Sequence, residues 1–154
     1  MKTPRRSILK KLMASVAGVA GIGISAKAAT TPDSNKEVYN ATPEPGQEVP
    51  LFSGSVKQGG FVFVAGKGAH FEGDIKAHTD HVLNELEKEL KKAGSSMDKV
   101  VKVNVYLHDL NDYHEMNEVY RGRFGKNPPV RTTIATYGGV PGNSLVEIDC
   151  IASV

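Results

Sequence analysis

The chain has 154 residues, 40% of them hydrophobic, with 19 basic and 17 acidic residues, one cysteine and no tryptophan. That length accommodates one ordinary domain, the apolar content excludes disorder throughout, and a lone cysteine excludes an intrachain disulfide or a multi-cysteine zinc site. Six basic residues fall in residues 1–28, which hold no acids, so the remainder carries 13 basic against 17 acidic residues, a net charge of −4. Such a body lacks the clustered Lys and Arg needed to track a nucleic-acid backbone.

Residues 1–28 read as an address. A basic start (Lys2, Arg5, Arg6, Lys10, Lys11) precedes an uncharged stretch, Leu12 to Ala26, and small residues at Ala26 and Ala28. This is the layout of a cleaved secretory signal ending at Ala28. Arg5-Arg6-Ser7-Ile8-Leu9-Lys10 resembles the twin-arginine pattern, so export by that machinery to the periplasm or beyond is expected. The uncharged stretch holds 15 residues, with Gly18, Gly21 and Gly23 among them. A span needs about 20 apolar residues, so no stable membrane anchor is expected. Residues 29–49, with Pro32, Pro43, Pro45 and Gly46, read as a linker or N-terminal arm.

The pattern from residue 50 to 154 is that of a folded domain. Phe52 to Val56 and Gly60 to Ala65, separated by Lys57-Gln58-Gly59, suggest a hairpin. Residues 77–93 carry Val82, Leu83, Leu86, Leu90 and Ala93 on one stripe, predicting a helix that Asp74 starts and Gly94 ends. Val100 to Leu107 alternates as a strand. Asn111 or Asp112 opens a second helix carrying Tyr113, Met116, Tyr120 and Phe124, with Arg121 and Arg123 on it. Strands at Val130–Thr136 and Ser144–Val154 complete the chain.

This order predicts an α+β domain with two helices on one face of a mixed sheet, the other face needing a partner. In the last strand Val146, Ile148, Cys150, Ala152 and Val154 mark the core side, while Leu145, Glu147, Asp149, Ile151 and Ser153 point away.

Three residues stand out chemically. Arg131 lies among β-branched residues just after Pro128-Pro129, and a guanidinium there offers a rigid fork for a carboxylate. A structural ion pair with Glu147 or Asp149 is an equally open role. Glu147 can take a proton from water or pair with Arg131. Asn117, at helical spacing between Met116 and Tyr120, can bind substrate or cap a loop. His70, His78 and His81 lack a zinc-binding pattern, and Cys150 reads as a small core residue. Gly66-Lys67-Gly68 is too little for a phosphate loop. No metal is expected.

The segments Asp109-Leu110-Asn111-Asp112-Tyr113, Met116-Asn117-Glu118-Val119-Tyr120, Pro129-Val130-Arg131-Thr132-Thr133-Ile134 and Leu145-Val146-Glu147-Ile148-Asp149-Cys150-Ile151-Ala152 together resemble the Rid (YjgF/UK114) family. Pro50-Leu51-Phe52-Ser53, Val64-Ala65-Gly66 and Ala93-Gly94 extend the likeness over about residues 50–154. The resemblance implies a chorismate-mutase-like fold, a homotrimer packed through its open sheet faces, and clefts between subunits. It further implies cofactor-independent hydrolysis of 2-imino acids or their enamines to 2-keto acids and ammonia. Arg131 would grip the carboxylate, Glu147 would orient the attacking water, and Phe52, Gly66, Asn117 and Thr133 would line the cleft. The family's usual Tyr, Ser and Cys are here Phe52, Ala65 and Thr133; the loss of the Tyr and Ser hydroxyls removes two hydrogen-bonding groups from the implied site. The competing functions are a non-catalytic small-carboxylate binder, a holdase-like protective trimer, and a ribonuclease, the last poorly matched to an acidic body.

Overall fold

The computed structural model describes residues 35–154; the export-signal reading of residues 1–28 lies outside the described residues. A six-stranded sheet carries both helices on one face, its strands lying side by side in the order β1 (Glu37–Tyr39), β2 (Ser55–Gln58), β3 (Phe61–Lys67), β6 (Val146–Ser153), β4 (Val100–Leu107) and β5 (Val130–Ala135). The expected α+β architecture is the one present.

The hairpin forms two residues later than the β-rich runs suggest. Strand β2 (Ser55–Gln58) pairs antiparallel with β3 (Phe61–Lys67), Gln58 lying opposite Phe61. The turn is therefore Gly59-Gly60, with φ of 60° and 81°. Two left-handed residues in succession make the tight hairpin turn that matches strand twist, and only glycine enters both positions without strain. The Gly pair thus sets the register and draws Lys57 and Gln58 into the ladder, leaving Phe52 and Ser53 outside it.

Strand β1 (Glu37–Tyr39) adds to the free edge of β2, Val38 opposite Val56. It lies inside the segment that reads as a linker; three residues are too few for alternation to register. Asn40, at φ 51°, leaves the strand and donates to both carboxylate oxygens of Glu89 (2.8 and 2.6 Å). Ser55 Oγ also donates to Glu89, at 2.9 Å, and Lys67 Nζ approaches to 3.6 Å. A carboxylate buried to 4% exposure is tolerable because of these partners.

Helix α1 (Ile75–Lys92) starts where Asp74 accepts the Ala77 N–H at 2.8 Å. It stops at Gly94, φ 81°, with Ser95 N–H bonded to Leu90 O and Gly94 N–H to Lys91 O. This paired closure is the usual glycine stop. Val82, Leu83, Leu86 and Leu90 are fully buried against the sheet, each contributing on the order of 1.5–3 kcal/mol.

Strand β4 (Val100–Leu107) is followed by a 3-10 turn (Leu110–Asp112) and helix α2 (Tyr113–Tyr120). The helix ends earlier than the apolar spacing suggests, so Arg121 and Arg123 lie beyond it. Gly122 and Gly125, with φ of 81° and 77°, bend the chain back, and Phe124 is still buried. Arg123 meets Asp80 (2.6 Å) and Asn84 (2.5 Å) on α1 instead of idling in solvent. Strand β5 (Val130–Ala135) runs parallel to β4, and β6 (Val146–Ser153) lies antiparallel between β3 and β4. The last strand begins at Val146 because Ser144 is a buried corner: its hydroxyl accepts from Ala69 N (2.8 Å) and donates to Val146 O (2.6 Å).

Strand β3 carries one extra residue against β6, since Val64 faces Cys150 but Lys67 faces Ile148. The bulge falls at Ala65-Gly66. On β6, burial alternates residue by residue, Val146, Ile148, Cys150 and Ala152 facing the helices. The opposite face has no helix: Phe61, Phe63, Val130 and Ile134 are 43–67% exposed there.

Candidate functional site

Arg131 stands on β5 opposite Val103, whose side chain is fully buried under the helices. Paired residues share a face, so Arg131 projects toward α2. Its Nη1 donates to Asn117 Oδ1 at 2.7 Å and its Nη2 to Tyr113 Oη at 3.3 Å. The guanidinium lies 4.6 Å over the Tyr120 ring and 5.8 Å from that of Tyr113. Tyr113, Asn117 and Tyr120 recur at helical spacing, which is how one short helix supplies all three contacts. The ion pair with Glu147 or Asp149 is not formed, and no carboxylate among the described residues reaches Arg131. Two of its five N–H donors are engaged, leaving a positioned, uncompensated fork.

Thr133 follows two residues on, opposite buried Val105, and so shares the face of Arg131. Its hydroxyl is buried without a hydrogen-bond partner, as is that of Tyr120. An orphaned buried hydroxyl costs about 1–3 kcal/mol, and both Thr133 and Tyr120 carry one on the face of Arg131. Burial pushes the Tyr120 phenol up to about 12, against the opposing pull of the Arg131 charge. A groove of about 820 Å3 adjoins this cluster, running along Tyr113, Asn117 and Tyr120 to Lys126 and Pro128.

Glu147 belongs to the other face. It lies on β6 opposite Tyr106 of β4, half-buried between the inward-facing Val146 and Ile148. Its carboxylate rests against Gly66, where any Cβ would overlap it. No hydrogen bond or ion pair to Glu147 forms among the described residues. The carboxylate opens into a pocket of about 220 Å3 with Tyr106, Thr136, Gly139, Pro141 and Asp149. Asp149 accepts from Asn104 Nδ2 (2.8 Å) and Tyr106 Oη (3.0 Å). Burial, then the bond to Asp149, raises the Tyr106 phenol above its usual range.

The predicted residues therefore fall into two groups. Arg131, Asn117 and Thr133 meet on the covered face; Gly66 and Glu147 meet on the open one. Phe52 is 68% exposed and lies two residues before Gly54, whose carbonyl accepts from Ala65 N–H at 3.0 Å. Sequence reasoning passed over Tyr113 and Tyr120 as site residues although they share the helical stripe of Asn117. It also passed over Tyr106 and Asn104, which alternate on the outward side of β4.

The remaining candidates are structural. His78 is 2% exposed; its Nδ1 accepts from Leu145 N–H (3.1 Å), leaving Nε2 to donate to Phe71 O (2.9 Å). Lys67 serves Glu89 rather than a phosphate. Cys150 is buried on the covered face, its thiol pushed up to about 12 chiefly by burial, with the Asp149 charge adding to it.

The family sequence model described as Endoribonuclease L-PSP matches residues 44–154. A RutC family protein of Pyrococcus abyssi is 41% identical over 108 residues, covering 66% of this chain and 84% of that one. The chloroplastic Reactive Intermediate Deaminase A of Arabidopsis thaliana is 30% identical over 126 residues, covering 77% and 66%. Among solved structures, a member of the YjgF/YER057c/UK114 family from Mycobacterium tuberculosis matches with a TM-score of 0.68 at 30% identity, over 78% of this chain and 100% of that one. RidA from the Antarctic bacterium Psychrobacter matches with a TM-score of 0.63 at 30% identity, over 70% and 92%. The shared sheet and the position of the match leave one assignment: the chain belongs to the Endoribonuclease L-PSP family, also called YjgF, RutC or Rid.

Proposed function

We propose that the protein is a cofactor-independent deaminase that hydrolyses 2-imino acids, or their enamine tautomers, to 2-keto acids and ammonia. The observation that carries this reading is a pair of uncompensated charges: Arg131, held by Asn117, Tyr113 and Tyr120, and Glu147, resting against Gly66 with no cation paired to it among the described residues. One is built to receive a carboxylate, the other to receive a proton.

These two side chains lie on opposite faces of one sheet, with β4 between their strands. A site containing both needs two copies of the chain. The exposed Phe61, Phe63 and Ile134 on the open face support a homotrimer, in which Arg131 of one subunit faces Glu147 of the partner subunit across each interface.

In that cleft the guanidinium holds the substrate carboxylate through parallel charge-assisted bonds. Water adds to the protonated imine carbon as the C=N π pair moves to nitrogen, and Glu147 takes one water proton. The protonated carboxyl returns that proton to the amine nitrogen. Loss of the hydroxyl proton to Glu147 then forms C=O as the C–N bond breaks and ammonia leaves. Glu147 finally releases the last proton to the departing base. Atoms and charge balance without a redox partner. The Glu147–Asp149 pocket attracts the cationic nitrogen and repels the carboxylate, which orients the substrate between the two subunits.

The test generates 2-iminobutanoate in situ and compares the parent with Arg131→Ala and Glu147→Gln. Accelerated keto-acid release by the parent alone supports the reading. A parent that binds 2-ketobutyrate without turnover leaves a carboxylate-binding module, with the hydroxyl-free Phe52 and Ala65 the reason. Location is a separate proposal, supported by Arg5-Arg6 and the Ala26-Lys27-Ala28 site: the protein is exported by the twin-arginine route and begins near Ala29. Fractionation tests it, since replacing both arginines with Lys should retain the protein in the cytoplasm.

A further inference from the structure

Beside Glu147, three polar side chains form a chain of their own on the open face. Asn104 lies opposite Asp149 and Tyr106 opposite Glu147 in the β4–β6 ladder. From there Asn104 Nδ2 donates to Asp149 Oδ1, and the Tyr106 hydroxyl reaches diagonally to Asp149 Oδ2. Each carboxylate oxygen of Asp149 is thus fixed by one donor. A phenol has a single proton, and that of Tyr106 is committed to Asp149. What its oxygen still presents to the Glu147 pocket is an acceptor lone pair.

Two further features narrow what this oxygen can do. The pocket's other side-chain hydroxyl, that of Thr136, donates to Leu107 O at 3.2 Å. Residues 52 and 65, at the same end of the sheet, are Phe and Ala and bring no hydroxyl. The pocket also sets two carboxylates, Glu147 and Asp149, side by side with no cation paired to either among the described residues. A guest there must be a hydrogen-bond donor or a cation. At about 220 Å3 the space holds a water, whose share of liquid volume is about 30 Å3, together with the reacting end of a small imine.

We propose that Tyr106 is a catalytic residue of the imine hydrolysis: its phenolic oxygen accepts a hydrogen bond from one O–H of the attacking water while Glu147 takes the other proton. Asp149 and Asn104 are positioning residues that hold the phenol in that orientation. The proposal rests on the deaminase reading. With both its hydrogens directed, the water turns a lone pair toward the imine carbon, which is the alignment that makes an intramolecular attack fast. The Tyr106 proton stays on its own oxygen throughout, donated in a hydrogen bond to Asp149, so the proton balance of the hydrolysis is unchanged. The raised Tyr106 pKa keeps the phenol neutral in the working range.

The experiment uses the full chain and 2-iminobutanoate generated in situ, with kcat, KM, 2-ketobutyrate affinity, mass and thermal midpoint measured for each protein. Tyr106→Phe removes one oxygen and keeps the ring. It is expected to lower kcat about 10- to 100-fold with KM and keto-acid affinity unchanged, at parental mass and thermal midpoint. Asp149→Asn, which frees the phenol to rotate while leaving it present, is expected to lower kcat in the same way and by less. An active parent with parental kcat in Tyr106→Phe overturns the role of Tyr106 and leaves the deaminase reading standing. A Tyr106→Phe protein that loses mass or thermal midpoint along with kcat assigns the hydroxyl to structure and overturns the proposal. A parent without deaminase activity overturns the reading and the role together.

Discussion

Gly66 and Glu147 occupy neighbouring strands so closely that the glutamate carboxylate fills the space a side chain at residue 66 would need. The obstructing atoms belong to the end of a flexible side chain, not to backbone, and Gly66 has no left-handed φ. Gly66→Ala should therefore leave stability within about 1 kcal/mol of the parent, since alanine also reduces unfolded-chain entropy. Turnover should fall by about 10²-fold, the scale of a displaced general base. A denaturant midpoint and kcat from one preparation check this; a stable variant with parental kcat removes Glu147 from the chemistry.

Because Arg131 and Glu147 face opposite sides of the sheet, two inactive variants should repair each other. In a ring of three, every mixed trimer of Arg131→Ala and Glu147→Gln contains one interface that joins the intact arginine to the intact glutamate. Random co-refolding should restore about a quarter of parental activity. Failure of complementation in trimers shown to be mixed would place both residues in one subunit's site.

The Arg131 fork is supported from α2, so its support should be separable from its charge. Asn117→Ala removes a charge-assisted hydrogen bond, an interaction of about 1.5–3 kcal/mol. Its main effect should be weaker 2-ketobutyrate binding, by roughly one to two powers of ten. Arg131→Lys keeps the charge but loses the planar fork and its stacking on Tyr120, and should bind keto acid no better than Asn117→Ala. Calorimetric titration gives both constants.

Alkaline stability should report the buried phenol. Tyr120 is held at about 12 when folded, against an ordinary value of 10.0. A group whose folded pKa is raised contributes stability that is present below the unfolded pKa and disappears as pH climbs to the folded one. The loss therefore falls between about pH 10 and pH 12. Tyr120→Phe should flatten that decline in urea midpoints and raise neutral-pH stability by about 1–3 kcal/mol, because it removes a buried hydroxyl that has no partner. Tyr106, raised in the same direction, should account for part of the decline that remains.

Cys150 offers a simpler check. Its thiol is buried and pushed up to about 12, so the thiolate that reacts with disulfide reagents is scarce at neutral pH. The folded protein should resist labelling and the urea-unfolded chain should react fully. Rapid labelling without denaturant would mean that β6 opens.

Much of this architecture is visible in single strands and helices. The burial of β6 follows the alternation Val146, Ile148, Cys150, Ala152, and α1 runs from Asp74 to Gly94 because those two residues are local signals. What escapes is whatever depends on pairing at a distance. The face on which Arg131 projects is decided by the parallel register of β5 with Val103 on β4, twenty-eight residues away in sequence. The diagonal reach of Tyr106 to Asp149 likewise exists only once β4 and β6 are adjacent. Strand β1 was hidden in a proline-rich arm, and the early end of α2 depended on two left-handed glycines beyond Tyr120. The site residues were thus recognisable one at a time, but not their division between two faces.

The bulge in β3 governs the parity of the whole strand. Counting outward from Phe61 and Phe63, strict alternation would send Lys67 to the open side. The extra residue at Ala65-Gly66 reverses the count, so that Lys67 turns inward to Glu89 while Glu147 gains its resting place. A one-residue deletion there would act on the sheet as a frameshift acts on a message: each residue beyond it would keep its identity and present the wrong side.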